Sequence, residues 1–344
     1  MTFAAAAGSM CADDPRRHVA DLALAEHAIT RSPDDAMVFP PHHELGRTGF
    51  RATRLGIGDL ADRAVPFDRC VATLCRALDE GLNVVDTAPN YEDGYSEQIV
   101  GEALRGRRRD HVFVIDKIDH LQAAVAPQVE GSLQRLRLDH VDLFAFHACS
   151  SHADLDALLA PDGGFDQLAL QVQAGRVRWR GLSSHHPDVL LRALAAGVCD
   201  VVMFPLGPFV DPRYATTILP QARARGVGTV CFKTFGAGKL LGDTEGYQRP
   251  LANRPRGKRS SGGTSPADEA APRLPRLSVA QCLRYTLTLD PDVALLGLSF
   301  PNEQDAAWAA THGFTPMTTA ELAATQQAAA AAIAGKGDVW WNPR

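Results

Sequence analysis

None of the seven cysteines, Cys11, Cys70, Cys75, Cys149, Cys199, Cys231 and Cys282, forms a C-x-x-C pair, and they are spread along the chain. That spacing argues against a disulfide framework and against a structural zinc site. Most of them lie in apolar runs, where free cysteine behaves as a small core residue, and this usage fits a reducing cytoplasm. No uninterrupted apolar run approaches the roughly 18 residues that span a bilayer. A surplus of positive charge is also missing: 35 Lys and Arg stand against 40 Asp and Glu, for a net charge of -5. Nothing therefore draws the chain toward nucleic acid or an anionic membrane. The small apolar run at residues 3–7 has no basic segment before it and is followed by Asp13 and Asp14; it reads as part of a tail rather than a signal peptide.

What is present is a soluble, globular composition, 45% hydrophobic and 22% charged over 344 residues. Residues 1–43 carry no strand pattern and read as a partly disordered extension, with a short helix possible at 19–27. From Gly46 the pattern becomes regular. Short apolar runs at 55–58, 84–86, 112–117, 141–147, 178–183, 201–204, 228–232 and 294–297 alternate with amphipathic helices. The first seven end roughly 20 to 36 residues apart, the span of successive βα units. Several are apolar throughout, as expected of parallel strands covered on both faces.

The intervening segments carry helix signals. Phe67, Cys70, Val71, Leu74, Cys75 and Leu78 recur at helical spacing before Gly81. Asp211-Pro212 reads as an N-cap followed by proline at the first helical position. Ser278 caps a helix through Leu283 and Leu287, and Thr318 with Glu321 has capping-box spacing. Eight βα units predict an α/β fold of the closed (β/α)8 TIM-barrel type. The expected organisation is an extension at 1–43, a barrel at 44–334 and a tail at 335–344. Residues 243–277, rich in Gly, Pro, Ser and Arg, form a long loop after the seventh strand. Its basic run, with Arg256, Lys258 and Arg259, can meet a phosphate or simply be solvated.

In such a barrel the chemistry gathers at the C-terminal ends of the strands. Asp86, Lys117 and His147 end the second, third and fourth, and Tyr91 follows Asp86 by five residues. Ser183, Ser184 and His185 end the fifth. A phenol of pKa about 10 is a poor acid at neutral pH, and a nearby ammonium favours its phenolate. Lys117 can supply that charge, Asp86 can hold Lys117, and His147 can donate a hydrogen bond to a substrate oxygen. This set suits proton exchange with a carbonyl or alcohol. No side chain donates hydride, so a nicotinamide or flavin is implied. Singly, each residue has an ordinary explanation: a cap, a solvated charge, a core histidine. Together, at three consecutive strand ends, they are hard to explain without a shared task.

The same residues carry a resemblance. Asp86-Thr87-Ala88-Pro89-Asn90-Tyr91, followed by Ser96-Glu97 and Gly101-Glu102-Ala103-Leu104, resembles the signature of the aldo-keto reductases. Leu45-Gly46-Arg47-Thr48-Gly49 is similar to the family's hairpin at the barrel floor. The stretch from Leu133 to Leu143 that runs on to His147, and the stretch from Gly175 to Ser183, are similar to further family segments. The resemblance covers about residues 44–312.

It implies a barrel with an N-terminal closing hairpin and a cofactor bound without a Rossmann domain, NADP(H) ahead of NAD(H). It implies Tyr91 as general acid or base, Lys117 and Asp86 as its tuning pair, and His147 as the orienting residue. Tyr95, the rival phenol, stands at the wrong distance from Asp86. On the cofactor side it implies Ser183, with Ser184 and His185, at the nicotinamide amide and Phe232 stacked on the ring. Lys233, Gly236, Gly238 and Lys239 then lie along the diphosphate. Gly297, Ser299 and Glu303 meet the adenosine phosphate at a helix N-terminus, an anion-binding position in general.

The chain departs from the family at Ser184, where Asn is common, at Met203, where Gln is common, and at Ser299, where some NADP-specific members carry Arg. No cysteine follows Cys282, so no C-terminal iron–sulfur cluster is expected, and no metal. Trp340 and Trp341 can pack beneath the barrel or reach toward the substrate.

The reading is therefore an NAD(P)(H)-dependent oxidoreductase interconverting an aldehyde, ketone or sugar carbonyl with an alcohol. Its partner is a small molecule, with no nucleic acid and no membrane; oligomeric state is not legible. The alternative is a non-catalytic nicotinamide-binding regulatory protein on the same fold, which the two departures in the cradle keep open. A lyase or isomerase using Lys117 as a Schiff-base nucleophile accounts less well for Tyr91.

Overall fold

The computed structural model describes residues 43–58, 63, 65–241, 275–297, 301–335, 339, 341 and 342. The expected helix at 19–27, nearly all of the 243–277 loop with its Arg256, Lys258 and Arg259, and Ser299 and Trp340 lie outside those residues. The chain separates into a unit Met1–Met37, also outside them, and a unit Val38–Arg344 that holds every element below.

Two short strands, β1 (His43–Glu44) and β2 (Arg51–Ala52), pair antiparallel. Eight further strands follow: β3 (Leu55–Gly58), β4 (Val84–Asp86), β5 (Phe113–Ile118), β6 (Val141–Phe146), β7 (Val177–Ser183), β8 (Val201–Pro205), β9 (Gly228–Phe232) and β10 (Val293–Leu296). All eight expected strands are found, with ends shifted by one residue at most. They close into a parallel barrel in the order β10-β3-β4-β5-β6-β7-β8-β9. The helices are α1 (Phe67–Asp79), α2 (Tyr95–Leu104), α3 (Val125–Leu136), α4 (His152–Leu159), α5 (Gly164–Gln173), α6 (Pro187–Ala196), α7 (Leu219–Ala224), α8 (Val279–Thr288), α9 (Pro301–Thr311) and α10 (Thr319–Ile333). The fold is the (β/α)8 barrel with its N-terminal closing hairpin.

Alternation along each strand divides the apolar residues into two cores. Val84, Phe113, Ile115, Leu143, Ala145, Val201, Met203, Val230, Val293 and Leu295 fill the barrel interior. Their neighbours Val85, Val114, Phe144, Val202, Cys231 and Ala294 point outward into the layer beneath the helices. This is why the strands read as apolar throughout rather than alternating. The hairpin plugs the floor: Leu45, Phe50 and Ala52 join the interior cluster, and Arg47 N–H donates to Gly226 O at 2.7 Å just before β9. Gly46 has φ +51°, and a Cβ there would meet Gly228 N at 2.2 Å, so both conformation and space require glycine.

Helix signals translate as expected in most places. The α1 stripe of Phe67, Cys70, Val71, Leu74, Cys75 and Leu78 packs against the outer core. Ser278 with Gln281 and Thr318 with Glu321 form capping boxes. The Asp211-Pro212 start is realised differently. Asp211 Oδ1 accepts the Arg213 N–H at 2.8 Å, but the first turns, Tyr214–Ile218, are π-helical before α7. Pro220 has no N–H to offer the carbonyl four residues back, which breaks the regular ladder there. Among the described residues, no helix is long and apolar enough to cross a membrane.

Candidate active site

Strand ends and inward alternation bring the sequence-selected residues to one mouth. Asp86 is the last residue of β4 and Lys117 is next to last on β5; both point inward. Lys117 Nζ lies 2.5 Å from Asp86 Oδ1 and donates to Thr87 O at 2.8 Å. The pair is almost fully buried, with side chains 2% and 6% exposed. Burial pushes the Asp86 carboxyl above its ordinary value, while the Lys117 charge pulls it back. The space for Asp86 comes from β3, whose inward residue opposite it is Gly58.

Tyr91 sits on the loop between β4 and α2. That loop is folded back by Tyr91 N–H to Ala88 O at 3.1 Å and Gly94 N–H to Pro89 O at 2.7 Å. Glu92, Asp93 and Gly94 have φ of +53°, +52° and +79° in succession. Lys117 Nζ is 4.9 Å from the centre of the Tyr91 ring. His147, the first residue after β6, stands edge-on to Tyr91, with ring centres 5.8 Å apart at 78°. The four residues of the expected tetrad thus meet. Tyr95 does not join them: its ring packs on Phe67 at 5.6 Å and its hydroxyl faces Val65 O at 3.4 Å.

One residue of the mouth was not singled out from the sequence. Asp119 follows β5 two residues beyond Lys117. Its Oδ1 meets His147 Nδ1 in a short hydrogen bond, and its Oδ2 accepts the Asn90 N–H at 2.8 Å. The signal was available, since Asp119 is a carboxylate at a strand end like Asp86. Burial, helped by Lys117, lowers the proton affinity of His147, with Asp119 acting in the other direction.

The expected cofactor residues line the neighbouring sector. Ser183 Oγ accepts the Ala148 N–H at 2.7 Å, where Ala148 has φ +52°, and so anchors the backbone just after His147. Ser184 donates its N–H to Met203 O at 3.0 Å, and its hydroxyl accepts the His186 N–H at 3.1 Å. The His185 ring packs 5.3 Å from Phe232, with Nδ1 3.2 Å from Trp341 O. Burial first, and then the Lys233 charge, push His185 down to about 4, so its imidazole is neutral near pH 7. Phe232 ends β9 against the interior core. Met203 is buried in that same core, an apolar group where the family commonly has an amide.

After β9, Lys233, Gly236, Ala237 and Gly238 all have positive φ, from +50° to +86°. The N–H groups of Gly236, Gly238 and Lys239 bond within the loop, to Lys233 O, Phe235 O and Gly236 O at 2.8–3.0 Å. Trp341 is fully buried against this loop: Lys239 Nζ lies 5.7 Å from its ring, and a Cβ at Gly236 would lie 3.2 Å from its Cζ2. Gly297 directly follows β10, and Glu303 is buried in the first turn of α9. Arg76 of α1 ties down that helix start, donating to Pro301 O and Gln304 Oε1 at 3.1 Å each. Among the described residues, no group of three or more His, Cys, Asp or Glu could hold a metal.

The sequence model described as "Aldo/keto reductase family" matches residues 53–324. The chain belongs to that family. It is 26% identical over 291 residues to aldo-keto reductase YhdN of Bacillus subtilis, covering 76% of this chain and 86% of that protein. It is also 26% identical over 226 residues to the NADH-specific methylglyoxal reductase of Escherichia coli, covering 58% and 68% of the two chains. The fold is similar to that of an aldo-keto reductase from Klebsiella pneumoniae solved in complex with NADPH. There the TM-score is 0.60, with 21% identity over 83% of this chain and 95% of the other. Its place in the aldo/keto reductase family accounts for the barrel.

Proposed function

We propose that the chain is an NAD(P)(H)-dependent oxidoreductase that interconverts a carbonyl and an alcohol, with Tyr91 as general acid and base. The observation that carries this reading is the position of the Lys117 ammonium. It is buried, held by Asp86 Oδ1 at 2.5 Å and Thr87 O at 2.8 Å, and lies 4.9 Å from the Tyr91 ring centre. A fixed cation at that distance favours phenolate, so the phenol can release and recover a proton near neutral pH. In carbonyl reduction, Tyr91 O–H protonates the carbonyl oxygen as it becomes an alkoxide. In the reverse reaction the phenolate takes the alcohol proton. His147 faces the same space and orients the substrate.

The cofactor sector fits a nicotinamide. Phe232 offers an aromatic face at the mouth, next to the neutral imidazole of His185. Lys233 supplies positive charge felt by both Asp86 and His185. When bound, a nicotinamide supplies or accepts the hydride. Ser183, Ser184 and His185 would hold its amide end, and Lys233, Gly236, Gly238 and Lys239 its diphosphate. Gly297, Ser299 and Glu303 would line the segment at the adenosine-phosphate end of the cofactor. We read the preference as NADP(H) ahead of NAD(H), with a small carbonyl or alcohol as substrate. The domain is residues 44–334, flanked by an extension and a tail. A cytoplasmic location agrees with six described cysteines that are all free.

A second reading, a nicotinamide-binding protein without turnover, is favoured by buried Met203 and by the use of the Ser184 hydroxyl on His186. The two separate cleanly. Fluorescence-quenching titration with NADPH and NADH measures binding, and turnover of a carbonyl panel measures chemistry. The expected result is binding with turnover, with Tyr91→Phe losing nearly all turnover while its cofactor affinity is unchanged. Full activity in Tyr91→Phe would end the role given to Tyr91, and binding without turnover in the unaltered protein would favour the second reading.

A further inference from the structure

Asp116 stands one residue before Lys117 on β5, and alternation turns it outward, away from the mouth. It is 0% exposed. Oδ1 accepts the Lys117 N–H at 2.7 Å. Oδ2 is buried and has no hydrogen-bond partner among the described residues. The side chain it faces is a second buried carboxylate, Glu97 of α2.

The charged groups around Asp116 are Glu97 from α2, Arg135 from α3 and Lys117 from β5 itself. Neither cationic head hydrogen-bonds the Asp116 carboxyl. Arg135 holds both oxygens of Glu97, at 2.5 and 3.0 Å. The Lys117 ammonium goes to Asp86 Oδ1 and Thr87 O. An ionised carboxylate with one oxygen sealed from water and without a donor is too costly to keep. Two carboxylates sharing one site do not both ionise. Glu97 has the guanidinium, so the proton belongs to Asp116. A protonated Oδ2 is a donor, and Glu97 is the acceptor in front of it.

That hydrogen bond joins the elements that carry the cation and the phenol. Asp116 is fixed to the Lys117 backbone near the end of β5. Glu97 lies in the first turn of α2, the helix into which the Tyr91 loop leads. The Arg135–Glu97 pair also packs against that loop: a Cβ built on Gly94 would lie 2.5 Å from Arg135 Cδ and 3.1 Å from Glu97 Oε2. We propose that Asp116 is a positioning residue: as a carboxylic acid bonded to Glu97, it ties the strand of Lys117 to the loop and helix of Tyr91 and so sets the separation of ammonium and phenol from behind the mouth. The claim about catalysis rests on the redox reading above, while the claim about the proton stands on the burial and bonding of the two carboxyl groups.

Two measurements on the full chain test it. Infrared difference spectra between the unaltered protein and Asp116→Asn near pH 7 read the proton. The expected result is the C=O band of a protonated carboxyl, present in the unaltered protein and missing from the variant; no such band overturns the proposal. The second measurement is kcat on a carbonyl from the panel above, beside cofactor affinity from fluorescence quenching, in Asp116→Ala and Asp116→Asn. Alanine removes both hydrogen bonds, so kcat should fall about tenfold or more with cofactor affinity unchanged. Asparagine can accept the Lys117 N–H with Oδ1 and donate its amide N–H to Glu97, so it should restore most of the lost kcat. Full kcat in Asp116→Ala, or an equal loss in both variants, overturns the positioning role. If Asp116→Ala does not fold, Asp116→Asn decides alone, and a loss of about tenfold in its kcat overturns the role. Absence of turnover of any carbonyl by the unaltered protein, with the infrared band present, overturns the redox reading and the positioning role with it but leaves the shared proton standing.

Discussion

A Cβ built on Gly58 would lie 3.2 Å from both Cβ and Oδ2 of Asp86. The inward residue at the end of β3 is thus the wall against which the carboxylate of the neighbouring strand rests. Asp86 cannot simply swing away, because its other oxygen is held by Lys117 at 2.5 Å. Gly58→Ala is therefore expected to displace the Asp86–Lys117 pair by a few tenths of an ångström. We expect kcat to fall about tenfold or more, since small misplacements at a reacting centre are costly, with a loss of stability of about 1 kcal/mol from overpacking. Steady-state kinetics and urea unfolding on the same variant measure the two effects. A variant that loses stability but keeps kcat would show that the wall does not matter to the chemistry.

The Asp86–Lys117 pair makes a second, separable prediction. Lys117→Met removes the charge beside Tyr91 and strands Asp86 in a site where burial already raises its pKa. Breaking one partner out of a buried pair costs about 3–5 kcal/mol. Asp86→Asn in the same chain removes the stranded charge, so the double variant should regain much of that stability. It should not regain turnover, because the ammonium near Tyr91 is still missing. Thermal unfolding and turnover assays on both variants should therefore diverge; recovery of activity in the double variant would contradict the role given to Lys117.

Behind the mouth, Asp116 makes a pH-dependent prediction. It points outward from β5, is fully buried, and accepts the Lys117 N–H at 2.7 Å. Its neighbour Glu97 already has a cation, Arg135, at 2.5 and 3.0 Å. Burial first, and then the Glu97 charge, push the Asp116 carboxyl well above its ordinary value. A raised folded-state pKa contributes stability that is fully present below the unfolded value, near 4, and is lost as pH rises through the folded value. Asp116→Asn should thus raise Tm at pH 8 and leave it nearly unchanged at pH 4, relative to the unaltered protein. Calorimetry at the two pH values checks the sign, and an equal shift at both would point to packing rather than charge.

Much of this protein was legible in its residues. The eight strands were readable because a covered parallel strand is a short apolar run with Gly, Pro or a polar group at its end, and those marks are local. The tetrad was readable for the same reason: the C-terminal ends of barrel strands converge, so Asp86, Lys117 and His147 at successive ends had to face one another, with Tyr91 five residues beyond. Helix caps at Ser278 and Thr318 depend on residues only three apart.

What the tertiary structure alone decided involves residues far apart in the chain, or a choice between equivalent groups. Several carboxylates stand near the ends of β4 and β5, and only the packing separates them. Asp86 turns inward to Lys117, Asp116 turns outward to Glu97, and Asp119 spans from Asn90 to His147. The π turns before α7 arise from a proline one residue past the helix start. Trp341 was assigned to no face by its sequence; its burial on the loop after β9, and the hydrogen bond of its carbonyl to His185, come from packing across more than 150 positions. The sequence by itself determined which residues stand at the strand ends. The fold decided which oxygen faces which nitrogen, because that depends on alternation, register and the absence of a side chain at Gly58.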